Sequence, residues 1–155
     1  MAETDIEREL TVLLRRGSRI HLSTLHGDVS LERSAYAIMC HLADEGPHRL
    51  GVLAAAFGLD ASTISRQVQD LEKAGLACRK RDPSDRRAWV LELTVDGREI
   101  LERTRHHRRA MLRQTLSDWP KRDLGVFGRL LQEFNASMER LGAFGVLLAT
   151  HGFMV

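Results

Sequence analysis

Apolar residues recur at helical spacing in six stretches of this chain, and the spacing changes to strict alternation once, between the fourth stretch and the fifth. The first stretch, residues 5–25, carries Ile6, Leu10, Leu13, Leu14, Gly17 and Ile20 at three- and four-residue steps. Thr4 and Glu7 have the spacing of a capping box, which predicts that this helix begins there. The second stretch starts after Ser30 and aligns Leu31, Ala35, Ile38, Met39 and Leu42. It stops at Gly46-Pro47, because proline cannot continue a helix. The third is short, residues 50–57, and ends at Gly58; Asp60 is then placed to cap the fourth, residues 61–74. That fourth helix has a narrow apolar stripe of Ala61, Ile64, Val68 and Leu71 and stops at Gly75.

The alternating segment predicts two strands, residues 76–81 and 88–93, around the turn cluster Asp82-Pro83-Ser84-Asp85. In the second strand Trp89, Leu91 and Leu93 are expected on one face, with Ala88, Val90 and Glu92 on the other. Thr94 then reads as the N-cap of a long helix reaching about residue 116. Pro120 opens a last helix that carries Leu124, Phe127, Leu130, Leu131, Phe134, Met138 and Leu141. Two helices joined by a short glycine-containing link form a helix-turn-helix, and a hairpin directly behind it is a wing. The fold class is therefore mainly α with a small β-hairpin wing. There is no internal repeat and no low-complexity tract.

Composition narrows the function without choosing it. The 155 residues hold 43% hydrophobic and 28% charged residues, enough for a core and too apolar for disorder. Cys40 and Cys78 are too few for a disulfide framework. The first fifteen residues, with Glu3, Asp5, Glu7, Arg8, Glu9 and Arg15, do not resemble a secretory leader. The longest nearly apolar run, residues 142–149, is too short to span a bilayer, so a cytoplasmic chain without membrane contact is expected. Net charge is only +2, but five cations (Arg79, Lys80, Arg81, Arg86, Arg87) face two anions (Asp82, Asp85) across residues 79–87. A second basic concentration, six arginines against Glu99 and Glu102, covers residues 98–113. Local basic patches in a nearly neutral chain point towards a polyanion.

Four blocks in register now carry a resemblance. Ser62-Thr63-Ile64-Ser65-Arg66, Leu71-Glu72-Lys73-Ala74-Gly75-Leu76, Arg81-Asp82-Pro83-Ser84-Asp85-Arg86-Arg87 and Leu93-Thr94-x-x-Gly97 resemble the MarR (multiple antibiotic resistance regulator) family of winged helix-turn-helix transcriptional regulators. The resemblance implies that these blocks are the recognition helix, its exit, the wing and the start of a dimer-supporting helix. It divides the chain into an N-terminal dimerisation helix (1–28), a winged DNA-binding domain (29–97) and a C-terminal dimerisation region (98–155). It further implies a homodimer on a pseudo-palindromic double-stranded DNA, commonly a repressor, released by a small-molecule effector. No residue identifies that effector, although Tyr36 and Met39 lie near where pockets of the family form.

The residues support the DNA reading independently. Ser62, Thr63, Ser65, Arg66 and Gln69 lie off the apolar stripe of the fourth helix. Short hydroxyls at a helix start allow close approach to phosphate, helped by free N–H groups and the helix dipole. Arg66 suits guanine O6/N7, and Gln69 or Gln67 suits adenine. A solvated helix cap would look the same in isolation; the following hairpin favours DNA. In the family an Asp-x-Arg at the wing tip sends an arginine into the minor groove while the aspartate braces it. Here that pattern assigns Arg87 to the groove and Asp85 to the brace. Arg79, Arg81 and Arg86 read as DNA-backbone contacts, with a solvated turn as the bland alternative, and for Arg79 and Lys80 the two readings weigh equally.

The remaining chemistry is weaker. His106 and His107 are adjacent, so on a helix their rings diverge by about 100° and share a metal poorly. His21 and His26 also miss ligand spacing, and no metal or cofactor is expected. Some arginines in residues 103–109 are candidates for salt bridges to a partner subunit. Peroxide sensors of the family use a cysteine in the first helix, which this chain lacks; Cys40 and Cys78 read as buried small hydrophobes. The first and last helices, with Leu147, Leu148, Phe153 and Met154 in the tail, hold more apolar residues than a small winged core needs. A protein-interaction winged helix and a metal-responsive regulator are the rivals. An enzyme is not expected, since no nucleophile–base pair, phosphate loop or H-E-x-x-H occurs.

Overall fold

The computed structural model describes residues 2–17 and 33–140. Those residues form α1 (Ala2–Gly17), α2 (Arg33–Glu45), α3 (Leu50–Phe57), α4 (Ala61–Lys73), β1 (Ala77–Arg81), β2 (Trp89–Leu93), α5 (Val95–Thr115) and α6 (Lys121–Arg140). The mainly helical architecture with one antiparallel hairpin matches the sequence expectation. Expected features at residues 18–32 and 141–155, including Ile20, Leu31, Leu141 and the apolar tail, lie outside the described residues. No described helix is long and apolar enough to cross a membrane.

α1 forms a unit of its own and starts earlier than the capping box predicts. Helix begins at Ala2, so Thr4 lies inside it, and Glu7 accepts a hydrogen bond from Thr11 Oγ1 at 3.0 Å instead. The acidic first turn, Glu3 and Asp5, supplies the physical reason: negative charge complements the helix N-terminus.

The core of the second unit gathers apolar residues from α2, α3, α4, α5 and the hairpin, and α6 has no buried residue. Ile38, Met39 and Leu42 from α2 are buried with Leu53 of α3, Ile64, Val68 and Leu71 of α4, and Leu101 of α5. Leu76, Ala77, Val90, Leu91 and Leu93 close this core from the hairpin side. Between α3 and α4, Gly58 adopts φ 60°, the left-handed conformation that lets its N–H reach back to the carbonyls of α3. The chain then turns directly into the cap of α4.

β1 and β2 pair from Ala77↔Leu93 to Arg81↔Trp89. His48, just before α3, adds a bridge that the alternation pattern does not reveal. Its N–H donates to Leu91 O at 3.1 Å, and Leu91 N–H returns a bond to His48 O at 2.8 Å. Trp89 does not share the burial of Leu91 and Leu93, which alternation places on its face: it is 47% exposed, whereas Val90 of the other face is buried. The Arg81–Trp89 pair stands at the wing end of the ladder, where the Arg81 guanidinium stacks 4.2 Å over the indole.

The junction after the wing is tightly specified. Thr94 caps α5 by accepting from Gly97 N–H at 3.0 Å, as expected. Its hydroxyl also donates to Gly75 O at 2.6 Å, and its N–H donates to Leu76 O at 3.1 Å. The exit of α4 and the start of α5 are thereby tied together, which fixes where the hairpin leaves the helical layer.

Candidate nucleic-acid interface

α4 presents the residues that the sequence singled out. Ser62, Arg66 and Gln69 are exposed, while Thr63, Ser65 and Gln67 are half-buried. Ile64, Val68 and Leu71 face the core from the opposite side, at the four- and three-residue steps of one helical stripe. Gln67 has a buried Oε1 with no hydrogen-bond partner among the described residues, which separates it from the exposed Gln69.

The start of α4 is less open than the sequence suggests. Asp60 Oδ1 accepts from the N–H groups of both Ser62 and Thr63 at 2.9 Å. The Ser62 hydroxyl also hydrogen-bonds Oδ1, and Thr63 Oγ1 donates to Oδ2 at 2.6 Å. These donors hold the Asp60 carboxyl well below the usual carboxylate range, the Ser62 and Thr63 hydroxyls first. The N–H groups expected to be free for a phosphate are therefore occupied by the cap. Asp60 was legible as a cap because aspartate precedes the apolar stripe; that it takes four donors was not.

The wing divides its cations into two sets. Arg79 pairs with Glu72 of α4 at 3.1 Å, Lys80 with Glu92 at 2.5 Å, and Arg81 stacks on Trp89 while donating to Arg86 O at 3.0 Å. The guanidinium groups of Arg66, Arg86 and Arg87, by contrast, have no hydrogen-bond, ion-pair or ring partner among the described residues. All three side chains are exposed. Asp85 and Arg87 meet through the backbone: Asp85 Oδ1 accepts from the Arg87 N–H at 3.0 Å, an Asx-type turn that leaves the Arg87 side chain free.

Two residues joined at the wing, Asp82 of its loop and Arg49 before α3, were not foreseen as part of the site. Asp82 is 7% exposed. Its Oδ1 accepts from Ser84 N–H at 2.8 Å and Ser84 Oγ at 2.6 Å, and its Oδ2 accepts from Arg49 Nε at 2.8 Å and Nη2 at 2.6 Å. The Ser84 bonds first, then the Arg49 bonds, lower its pKa to about 2. Arg49 itself lies 33 residues away in sequence, and no local signal links it to the wing.

A pH dependence follows. The folded Asp82 value of about 2 lies below the ordinary unfolded value of roughly 3.9, so the unfolded chain binds more protons in this window. The stability that Asp82 contributes is fully present above about pH 4 and is lost as pH falls through its folded value; the depressed Asp60 acts in the same direction. Urea unfolding of the wild type should lose stability steeply from pH 4 to pH 2. The Asp60→Asn, Asp82→Asn double variant should lose less over that range; equal slopes would mean that other carboxylates control acid unfolding.

The other candidates lie on α2, β1 and α5. Arg105 pairs with Asp44 at 2.7 Å and Glu102 at 3.1 Å, Arg103 pairs with Glu99, and Arg108 stacks 3.7 Å over Tyr36. These arginines, candidates for partner-subunit contacts in the sequence, thus have partners in their own chain. Burial, then a hydrogen bond with Cys40, raises the Tyr36 phenol. Cys40 and Cys78 are half-buried rather than fully buried. His106 and His107 are exposed, and among the described residues no three His, Cys, Asp or Glu side chains gather as a metal site.

Comparison with known proteins gives this geometry its context. A model of the MarR family matches residues 31–89, which span α2 to the first residue of β2. An uncharacterised HTH-type transcriptional regulator of Bacillus subtilis, YxaD, is 38% identical over 130 residues, covering 84% of this chain and 90% of its own. The crystal structure of MarR superposes with a TM-score of 0.74 at 23% identity, over 86% of this chain and 91% of the other, and shares the fold. The PcaV regulator of Streptomyces coelicolor, solved with its natural ligand, gives a TM-score of 0.61 at 25% identity over 82% and 89% of the two chains. Matching family model, near-full-length relative and winged helix-turn-helix geometry converge: the chain belongs to the MarR family of DNA-binding transcriptional regulators.

Proposed function

We propose that this regulator is a cytoplasmic homodimeric repressor of a pseudo-palindromic duplex, released by a small-molecule effector. In this reading each α4 enters a major groove and each wing sends Arg87 into the flanking minor groove. The observation that carries it is that α4 and the wing hairpin, the two elements a winged helix lays on DNA, present the exposed guanidinium groups of Arg66, Arg86 and Arg87 without a partner among the described residues. A cation without an internal partner breaks no ion pair of its own chain when it meets a phosphate or a base edge, and the charge-assisted bonds it forms there are strong.

Arg66 and Gln69 read base edges, with Gln67 a less exposed alternative. Ser65 contacts phosphate, while Ser62 and Thr63 admit the backbone closely by their small size, their hydroxyl groups being held by Asp60. Arg86 contacts the sugar–phosphate backbone. Arg79 and Arg81 do so only by exchanging Glu72 and Trp89 for phosphate. Asp85 keeps the wing turn in shape for Arg87. Repression is the usual output of the family, and the PcaV complex supports a small effector. An effector releases the DNA only through different affinities for two spacings of the recognition helices.

Selection of genomic fragments by the protein at two salt concentrations tests the whole reading. An enriched inverted repeat, bound more weakly at higher salt, is expected. Weak binding to every fragment would overturn it in favour of a winged helix used for protein contacts. On the enriched duplex, Arg87→Ala should weaken binding to most base variants alike, because minor-groove readout is coarse. Arg66→Ala should cost roughly 1–3 kcal/mol and flatten the preference at particular positions. Uniform loss across all base variants for Arg66→Ala would restrict that side chain to phosphate.

A further inference from the structure

We propose that Arg49, outside both the recognition helix and the wing, is the positioning residue that holds the wing arginine in register with the helix-turn-helix. The proposal rests on the reading that Arg87 enters the minor groove, and it adds what fixes Arg87 before DNA arrives.

The argument begins at the Arg49 backbone. His48, one residue earlier, is bonded in both directions to Leu91 of β2. Arg49 O then accepts from Val52 N–H at 3.0 Å and Leu53 N–H at 3.1 Å, which starts α3, and Leu53 is fully buried. Arg49 is thus anchored to the sheet on one side and to the first helix of the helix-turn-helix on the other. As the residue preceding α3 it makes no side-chain cap, so its guanidinium is available elsewhere.

That guanidinium crosses to the wing. Nε and Nη2 both donate to Asp82 Oδ2, at 2.8 and 2.6 Å, and Nη2 lies 3.5 Å from Asp85 Oδ2. Asp82 and Asp85 are the two anions of the loop, and a cation between them offsets their mutual repulsion. Each passes the restraint on. Asp82 holds Ser84 through its side chain and Ala88 O through its N–H at 3.1 Å. Asp85 holds the Arg87 N–H through Oδ1 and the Ala88 N–H through its carbonyl at 2.9 Å. The route from the buried start of α3 to the Arg87 backbone is therefore Arg49, Asp85, Arg87, with Asp82 as the second and better buried anchor.

A hairpin tip of this length is mobile unless tied, and ordering it on DNA costs affinity that a preformed tip retains. Arginine suits the task because its planar fork supplies several directed donors, whereas lysine offers a point charge. Arg49 consequently couples the placement of α4 to that of the wing, so that major-groove and minor-groove contacts are read at a fixed separation.

The test combines mobility in the free protein with a double-mutant cycle on DNA. Backbone 15N relaxation should give rigid amides for residues 84–88 in the wild type. In Arg49→Ala, and to a smaller extent in Arg49→Lys, order parameters there should drop from roughly 0.85 towards 0.6 while those of α4 stay unchanged. On a duplex enriched from a random-sequence library, Arg49→Ala should weaken binding roughly tenfold in the wild-type background and less than about twofold in the Arg87→Ala background. Equal losses in both backgrounds would mean that Arg49 touches DNA itself and would overturn the proposal, as would unchanged wing mobility. A costly Arg87→Ala beside a silent Arg49→Ala sinks the positioning role alone. A silent Arg87→Ala sinks the wing reading and this inference with it. If Arg49→Ala fails to fold, Arg49→Lys carries both measurements with the charge retained.

Discussion

Replacing Gly97 by alanine should destabilise the regulator by about 3 kcal/mol, although alanine is the better helix former by roughly 1 kcal/mol. Gly97 lies in the first turn of α5 and is buried. A Cβ there would overlap the Leu76 carbonyl oxygen and stand 2.9 Å from the Leu76 carbonyl carbon. Neither atom can move cheaply. Leu76 O accepts from Thr94 N–H at 3.1 Å, Leu76 N–H donates to Leu71 O at 2.9 Å, and the Leu76 side chain is buried in the core. Relief therefore requires parting the end of α4 from the start of α5, which breaks the Thr94 cap as well. For a chain of this size the loss corresponds to a melting point lower by roughly 6–12 °C, read by thermal unfolding together with urea titration. A loss below about 1 kcal/mol would mean that this junction yields, and that the wing is not held from behind.

Charging the α6 surface should separate the proposed dimer and with it the grip on DNA. Val126, Phe127, Leu130, Leu131 and Phe134 are between 36% and 50% exposed, and no residue of α6 is buried. A row of large apolar side chains at helical spacing on one chain is costly in water and is the surface expected to meet a second copy. Leu130→Glu with Leu131→Glu should give a monomeric sedimentation coefficient at micromolar concentration. Operator affinity should fall by about 100-fold or more, because two linked half-site contacts become independent. Since α6 contributes nothing to the winged core, the circular dichroism and unfolding of that core should persist. A dimer that survives the double substitution would place the contact elsewhere, and a wild-type monomer would overturn the homodimer itself.

The recognition half of the protein was legible because its signals are local. The stripe Ile64, Val68, Leu71, the Asp60 cap, the Thr94 cap and the turn between two alternating segments all act within a few residues, where sequence order and space coincide. The mis-set start of α1 shows the limit of such signals, since a capping-box spacing at Thr4 was outweighed by an acidic first turn that favours an earlier start. Trp89 shows a different limit: alternation assigns a face, but burial on that face depends on what lies over it, and at the wing end of the ladder the Arg81 guanidinium leaves the indole 47% exposed.

Sequence alone determined the element order, the family and the segment that bears the basic residues, because periodicity, caps and motif spacing are properties of neighbouring positions. Only the tertiary structure decided which cations remain free. Arg79 and Arg87 look alike in the sequence, yet one is paired with Glu72 from the preceding helix and the other has no partner among the described residues. It also decided that Arg49, just before α3, reaches Asp82 of the wing, a pair 33 residues apart brought together by the His48–Leu91 bridge and the packing of α3. Charge is written along the chain, but its availability depends on distances between elements, and those are set by burial of the core that α2 to α5 and the hairpin share.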